Sequence, residues 1–186
     1  MDPLDLAISH AAAVHEALEA YRRVCLGGEG DEKPGRGLKR RARSLPGLIL
    51  SSGLIPALTF YMSKADTQAY REYVRLLEKA ERGEKGAAAS LVEAAAGGGG
   101  EACRGDSVLT ELSGGEGAGY SLALAMASRA LQRLARVEAG GDGGFAGLAA
   151  TLREGLGSPE KEAAATQLLI DYLQEVKKLV EAIVKE

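Results

Sequence analysis

The stretch SPEKEAAATQLLIDYLQEVKKLVEAI, residues 158–183, decides the class of this protein. Ser158 has the side chain of a helix N-cap, Pro159 suits the first turn, and Glu160 and Glu162 complement the positive end of a helix dipole. Behind them Ala165, Leu168/Leu169, Tyr172, Val176, Leu179/Val180 and Ile183 recur at helical spacing, so the segment reads as a long amphipathic helix.

The same signals occur at the other end of the chain. Asp2 caps a helix with Pro3 at its first position, and Leu4, Ile8, Ala11, Val14, Leu18, Tyr21 and Cys25 are expected to form its buried face. Gly27 and Gly28 stop it, and a turn-rich loop through Asp31, Pro34 and Gly35 follows. Residues 44–62 read as two short buried helices broken at Gly53, with Pro56 in the first turn of the second. Asp66 then caps a helix that runs to about Arg82 and buries Tyr70, Tyr73, Leu77 and Ala80. After a short helix near 86–96, the Ala/Gly-rich chain predicts a flexible insertion over 97–118, because its run of glycines has little to bury and much entropy to lose. A segment with no core role can be removed at little cost, so deleting 98–116 is expected to leave stability almost unchanged.

A further helix is expected from Gly119 to Ala139, with Tyr120, Leu124, Leu131 and Leu134 inside and Arg129, Arg133 and Arg136 outside. A shorter one is expected over 145–154. No run alternates as a strand would. The expected fold is all-α: a single compact domain over 1–186, a bundle of about five to seven helices with a Gly-rich insertion. An apolar share of 46% in 186 residues supplies enough core for that.

The net charge of −3 does not advertise a polyanionic partner, but its distribution does. Over 33–82 there are eleven cations against four anions, a local charge of +7, which leaves −10 for the rest. One basic surface on an acidic body suits an anionic partner. Lys64, Arg71, Arg75 and Lys79 fall opposite the apolar face of the helix over 66–82, where each could replace condensed counterions on a phosphate backbone. Tyr70 and Tyr73 face inward, so contact with the backbone is favoured over reading of bases.

Other patterns carry less. His15 and Glu19 stand one turn apart, as metal ligands on a helix do, but no further ligand completes a site. Leu112-Ser113-Gly114-Gly115-Glu116 copies the signature loop of ABC-type ATPases, yet the chain lacks a phosphate-binding loop with Gly-Lys-Ser/Thr. Arg104-Gly105-Asp106 has meaning for cell adhesion only outside the cell. No cofactor, metal or catalytic residue is expected. Cys25 and Cys103 show no metal spacing and read as two free thiols, a bridge between them being the alternative open to hyperthermophile proteins. The absence of Asn fits a hot environment. The N-terminus lacks a basic region before its apolar residues, so no signal peptide and a cytoplasmic location are expected.

At Arg43-Ser44-Leu45-Pro46-Gly47-Leu48-Ile49-Leu50-Ser51-Ser52-Gly53-Leu54, followed by Ala57-Leu58-Thr59-Phe60 and Lys64, the chain resembles the small subunit of Cmr-type (type III-B) CRISPR effector complexes. Ser52 stands where that family usually has Asn. The final helix, with Leu168-Leu169-Ile170-Asp171-Tyr172-Leu173-Gln174-Glu175-Val176-Lys177-Lys178, resembles the family's aromatic-Leu helix with its basic pair. The resemblance covers roughly the first 80 and last 25 residues. It implies an α-helical, non-catalytic protein of antiviral defence that stacks head to tail with its own copies beside other effector subunits. There it would line the groove where guide RNA and target RNA pair. It assigns RNA contacts to Arg43, Lys64, Lys177 and Lys178, to which the helical faces add Arg71, Arg75 and Lys79. Two other readings stay open: a membrane-associated protein using the uncharged segment 44–62, and a helical adaptor that binds no nucleic acid.

Overall fold

A computed structural model describes residues 1–27, 33–97, 102–137 and 144–184. Helix α1 (Pro3–Cys25) begins where the Asp2 carboxylate accepts the Asp5 N–H, and ends before Gly27, whose φ of 59° suits only a residue without Cβ strain. Helices α2 (Arg36–Ser52) and α3 (Leu54–Lys64) meet at Gly53, with φ 95°. That break is the expected one, but α2 is long: it carries the basic run 39–43 and holds Pro46 inside it. Helix α4 (Thr67–Glu81) starts on Asp66, whose carboxylate accepts the Ala69 N–H, and buries Tyr70, Tyr73 and Leu77.

Helices α5 (Ala87–Ala95), α6 (Ala102–Gly105) and α7 (Ser107–Glu111) lead to α8 (Tyr120–Leu134). Helices α9 (Phe145–Gly155) and α10 (Pro159–Ile183) complete the chain, the latter capped by Ser158 as its sequence requires. The described residues are thus all-helical without a strand, in ten helices where five to seven were expected. The excess comes from the chain between α4 and α8, where short apolar groups set no long periodicity.

Helix α8 is the axis of the fold. Ser121 through Ser128, Ala130 and Leu131 are all buried, and α1, α2, α3, α4 and α10 pack around it. Six of those ten residues, Ser121, Ala123, Ala125, Ala127, Ser128 and Ala130, are alanine or serine, and small side chains let the surrounding helices approach closely.

Three expectations about faces need correction. Helix α1 buries Ala11, Val14, Leu18 and Tyr21 as expected, and also Leu6, Ala7, His10, Ala13 and Ala17, while Leu4 and Ile8 are about half exposed, at 47% and 49%. Alanines widen the buried face because α1 packs against several helices, chiefly α10, α5 and α4. Residues 44–62 are not buried throughout either: Leu50 is 71% exposed and Phe60 45%. Arg129 is not on an outer face, its side chain being only 11% exposed.

The expected insertion 97–118 carries core residues. Positions 98–101 lie outside the described residues, but Cys103, Val108, Leu109 and Leu112 belong to the main core, and Ala118 is buried as well. The Tyr73 hydroxyl donates to the Val108 carbonyl at 2.6 Å. Gly35 N–H donates to Leu112 O at 2.7 Å, and a Cβ on Gly119 would lie 2.5 Å from Leu38 N, so the loop 112–119 lies directly on the start of α2. Cys25 and Cys103 are not free thiols: they form a disulfide across 78 residues, tying the end of α1 to α6.

Deleting 98–116 is therefore expected to abolish the cooperative thermal transition seen by circular dichroism. Losing three buried aliphatic side chains, at about 2–5 kcal/mol each, rivals a domain's whole stability. A melting temperature within a few degrees of the intact chain would contradict that packing. Replacing both cysteines by Ser should lower the melting temperature by about 10 °C, since closing a loop of this size is worth about 4 kcal/mol in the unfolded chain. Equal melting of the two proteins would mean the bridge adds nothing.

Candidate nucleic-acid interface

The position of each cation follows from what its helix buries. With Tyr70, Tyr73 and Leu77 turned into the core, α4 exposes Arg75 and Lys79. Arg75 lies 2.8 Å from Glu72 one turn earlier, while Lys79 has no carboxylate within ion-pair distance among the described residues. Arg71 is only half exposed and lies against the start of α9, where a Cβ on Gly144 would meet its guanidinium at 2.8 Å. Lys64, at the end of α3, is exposed, with its ammonium 6.0 Å above the Phe60 ring.

The remaining candidates lie on α2 and α10. Arg43 is exposed and pairs with Glu181 at 2.8 Å, a contact that holds the Glu181 carboxyl below its ordinary range. Lys177 and Lys178 are exposed on α10, Lys178 pairing with Glu175 at 2.7 Å. The seven residues thus fall into two groups: Lys64, Arg71, Arg75 and Lys79 on α3–α4, and Arg43, Lys177 and Lys178 on α2–α10. Helices α4 and α10 each pack on α1 and α8.

Most of the basic run 39–43 is occupied inside the fold. Lys39 is buried and donates to the Val184 carbonyl at the end of α10. Arg40 donates to the Gly114 and Gly115 carbonyls. Arg41 donates to the carbonyls of Glu116 and Ala118 and stacks on Tyr120, 3.9 Å from the ring centre. The loop resembling an ATPase signature is therefore a strip of carbonyl acceptors for α2. Asp106 of Arg104-Gly105-Asp106 is likewise occupied, capping α7 through the N–H groups of Val108 and Leu109. His15 is exposed and Glu19 pairs with Arg22; among the described residues, no group of three metal-ligating side chains occurs.

Two buried polar clusters escaped the sequence reading. In the first, Arg129 clamps Glu81 through both carboxylate oxygens, at 2.9 and 2.6 Å, and also reaches Glu78 at 2.8 Å. His10, fully buried, lies 3.0 Å from Glu81 and 2.6 Å from the Tyr172 hydroxyl. Burial drives the His10 pKa down against the opposing pull of Glu81, so the ring is neutral. A carboxylate can only accept, so Nε2–H donates to Glu81 and Nδ1 accepts the Tyr172 O–H. Burial also pushes Glu81 up, but hydrogen bonds from His10 and Arg129 and the guanidinium charge outweigh it and hold Glu81 at about 2.

In the second cluster, Glu111 on α7 accepts the Ser121 N–H at 2.9 Å and the Ser121 hydroxyl at 2.8 Å. It supplies the N-terminal cap that Gly119 cannot. A lone His spaced from Leu6, Ala13 and Ala17 at helical intervals was the one sequence signal for the first cluster. Nothing local signalled the second, whose partners are ten residues apart across a loop.

Residues 13–95 match the family model described as CRISPR-associated protein (Cas_Cmr5). No curated protein and no solved structure matches the chain. The family match bears out the resemblance to a Cmr-type small subunit, a component of a CRISPR effector complex. It spans α2 to α5 and most of α1, and so includes Arg43, Lys64, Arg71, Arg75 and Lys79. Lys177 and Lys178, with the rest of the final helix, lie outside it.

The Glu81 cluster makes stability depend on acid. The folded pKa is depressed from 4.5 to about 2, so its contribution is complete above about pH 4.5 and is lost as pH falls towards 2. That contribution is on the order of 3 kcal/mol. Thermal melts between pH 5 and 2 should show a steeper loss for wild type than for Glu81→Gln, and parallel curves would contradict the assignment.

Proposed function

We propose that this Cmr5-like chain is a non-catalytic structural and RNA-binding subunit of a CRISPR RNA-guided effector in antiviral defence. It lines the groove in which guide and target RNA pair, contacts their phosphates, stacks head to tail with its own copies beside other Cmr subunits, and works in the cytoplasm. The observation that carries this reading is the exposure of Lys64, Arg75 and Lys79 within the family-matched segment. Lys64 and Lys79 have no acidic partner among the described residues. Lys177 is open on α10, and Arg43 and Lys178 are held only by surface ion pairs, which are weak enough for a phosphate to displace.

Stacking is supported by two separate exposed apolar pairs, Leu4 with Ile8 on α1 and Leu50 with Ile55 on either side of Gly53. Different patches that meet between copies generate an open, head-to-tail row. A non-catalytic role is supported by the interior: His10, Tyr172, Glu81 and Arg129 satisfy one another and are closed to substrate. A disulfide in a chain without Asn suits an intracellular protein of a hot environment.

The membrane alternative is not favoured. Among the described residues, no helix is long and apolar enough to cross a membrane, and Leu45, Ile49, Leu54, Ala57, Leu58 and Tyr61 of the apolar run belong to the core.

The test uses Lys64→Ala, Arg75→Ala and Lys79→Ala together, with Arg43→Ala and Lys177→Ala as a second set. Arg71 stays intact because it packs against Gly144. In the assembled effector, affinity for unrelated RNA sequences should fall about equally, and the slope of log affinity against log salt should shrink by roughly 0.7 to 0.9 per lost contact. Unchanged affinity and slope in complexes that assemble would favour the adaptor that binds no nucleic acid.

A further inference from the structure

Phe60 is a large aromatic side chain, 45% exposed, in a chain with only two phenylalanines and no tryptophan. It does not protrude alone. Its ring meets Tyr61 at 6.1 Å and Tyr120 at 6.3 Å between centroids, at 68° and 73°, and those two tyrosines meet each other at 5.1 Å. Tyr61 is buried and its hydroxyl donates to the Arg41 carbonyl; Tyr120 carries the Arg41 guanidinium on its ring. Three helices, α2, α3 and α8, thus hold the Phe60 ring edge-on while nearly half of the residue stays in water.

One cation stands over this ring: Lys64, one turn along α3, holds its ammonium 6.0 Å above it, at the outer limit of a cation–π contact. A rigid aromatic face with a cation beside it is what an unpaired nucleotide requires: a π-surface for the base and positive charge for its phosphate.

We propose that Phe60 is a stacking site for one unpaired RNA base, of any sequence, with Lys64 engaging the adjoining phosphate. This rests on the RNA-binding reading above and adds base contact to a surface otherwise limited to phosphates. It adds a sequence-independent base contact to the expectation that backbone contact is favoured over the reading of bases. That expectation considered only Tyr70 and Tyr73, which are indeed buried.

The test uses the full chain at low salt, without reductant, with a single-stranded oligouridine and a blunt RNA duplex as probes. Phe60→Trp introduces a lone tryptophan; its fluorescence should be quenched by the oligouridine, with affinity equal to or above wild type. Phe60→Leu keeps the apolar volume but removes the π-face, and should weaken oligouridine binding about tenfold while leaving duplex binding unchanged. Its melting temperature should match wild type, since the residue is half exposed. Wild-type affinity in Phe60→Leu, or equal loss for single strand and duplex, overturns the stacking site. So does a Phe60→Leu chain that binds RNA normally but no longer joins the effector, which would make the ring a protein contact. If Lys64→Ala and Lys79→Ala weaken binding while Phe60→Leu does not, the site falls and the RNA-binding reading stands. If wild type binds neither probe, or neither kind of variant changes binding, both fall.

Discussion

Burying one helix on every side is the constraint from which the rest of this structure follows. From Ser121 to Ser128 no residue of α8 faces water, so its first-turn N–H groups and its polar side chains must be satisfied by neighbours. Glu111 caps the first turn from inside the core, accepting from the Ser121 N–H and hydroxyl, although burial raises its pKa. The Asp66 N–H donates to the Ser121 hydroxyl, and Tyr70 donates to Ser128, so the start of α4 is tied to α8 along its length. Where α8 must carry a charge, at Arg129, two glutamates of α4 come to meet it. A buried guanidinium without them would be strongly destabilising.

The same economy explains why local charge is a poor guide to the outer surface. Residues 33–82 carry +7, yet Lys39, Arg40 and Arg41 end on backbone carbonyls of α10 and of the loop 114–118. Those carbonyls lie outside helical hydrogen-bonding ladders and accept what an arginine fork donates. The basic run therefore fastens the Gly-rich loop and the C-terminal helix to α2. The exposed positive charge of this stretch is correspondingly smaller, on Lys33, Arg36, Arg43, Lys64, Arg75, Lys79 and Arg82. Glycines on both sides of the contact between that loop and α2 allow close approach, as Gly37 of α2 against Ala118 and Gly119 against Leu38 show.

The family-matched segment 13–95 and the remainder of the chain are physically inseparable. Helices α2 to α5 supply one wall of the core, but α8 and α10 supply what they pack on, and Cys103 joins the unmatched part to the end of α1. Whatever surface the matched segment offers is positioned by residues outside it: Tyr120 sets Phe60 and Arg41, and Glu181 sets Arg43.

The sequence by itself determined the helical class, the caps at Asp2, Asp66 and Ser158, the break at Gly53 and the Cmr small-subunit resemblance. Each of these depends on residues within a few positions of one another, where backbone geometry leaves few choices. It also located the outward cations of α4, because Tyr70, Tyr73 and Leu77 leave only one face for the core. It misjudged only the first turns of α1, where Leu4 and Ile8 are half exposed, while Ala11, Val14, Leu18 and Tyr21 are buried as expected. Only the tertiary structure decided which charges were free, that Cys25 met Cys103, and that Glu111 capped α8. It alone brought Phe60 and Tyr120 into one aromatic cluster. These pairings join positions from 10 to more than 100 residues apart, and their partners are selected by how helices pack around α8, a property that no local pattern encodes.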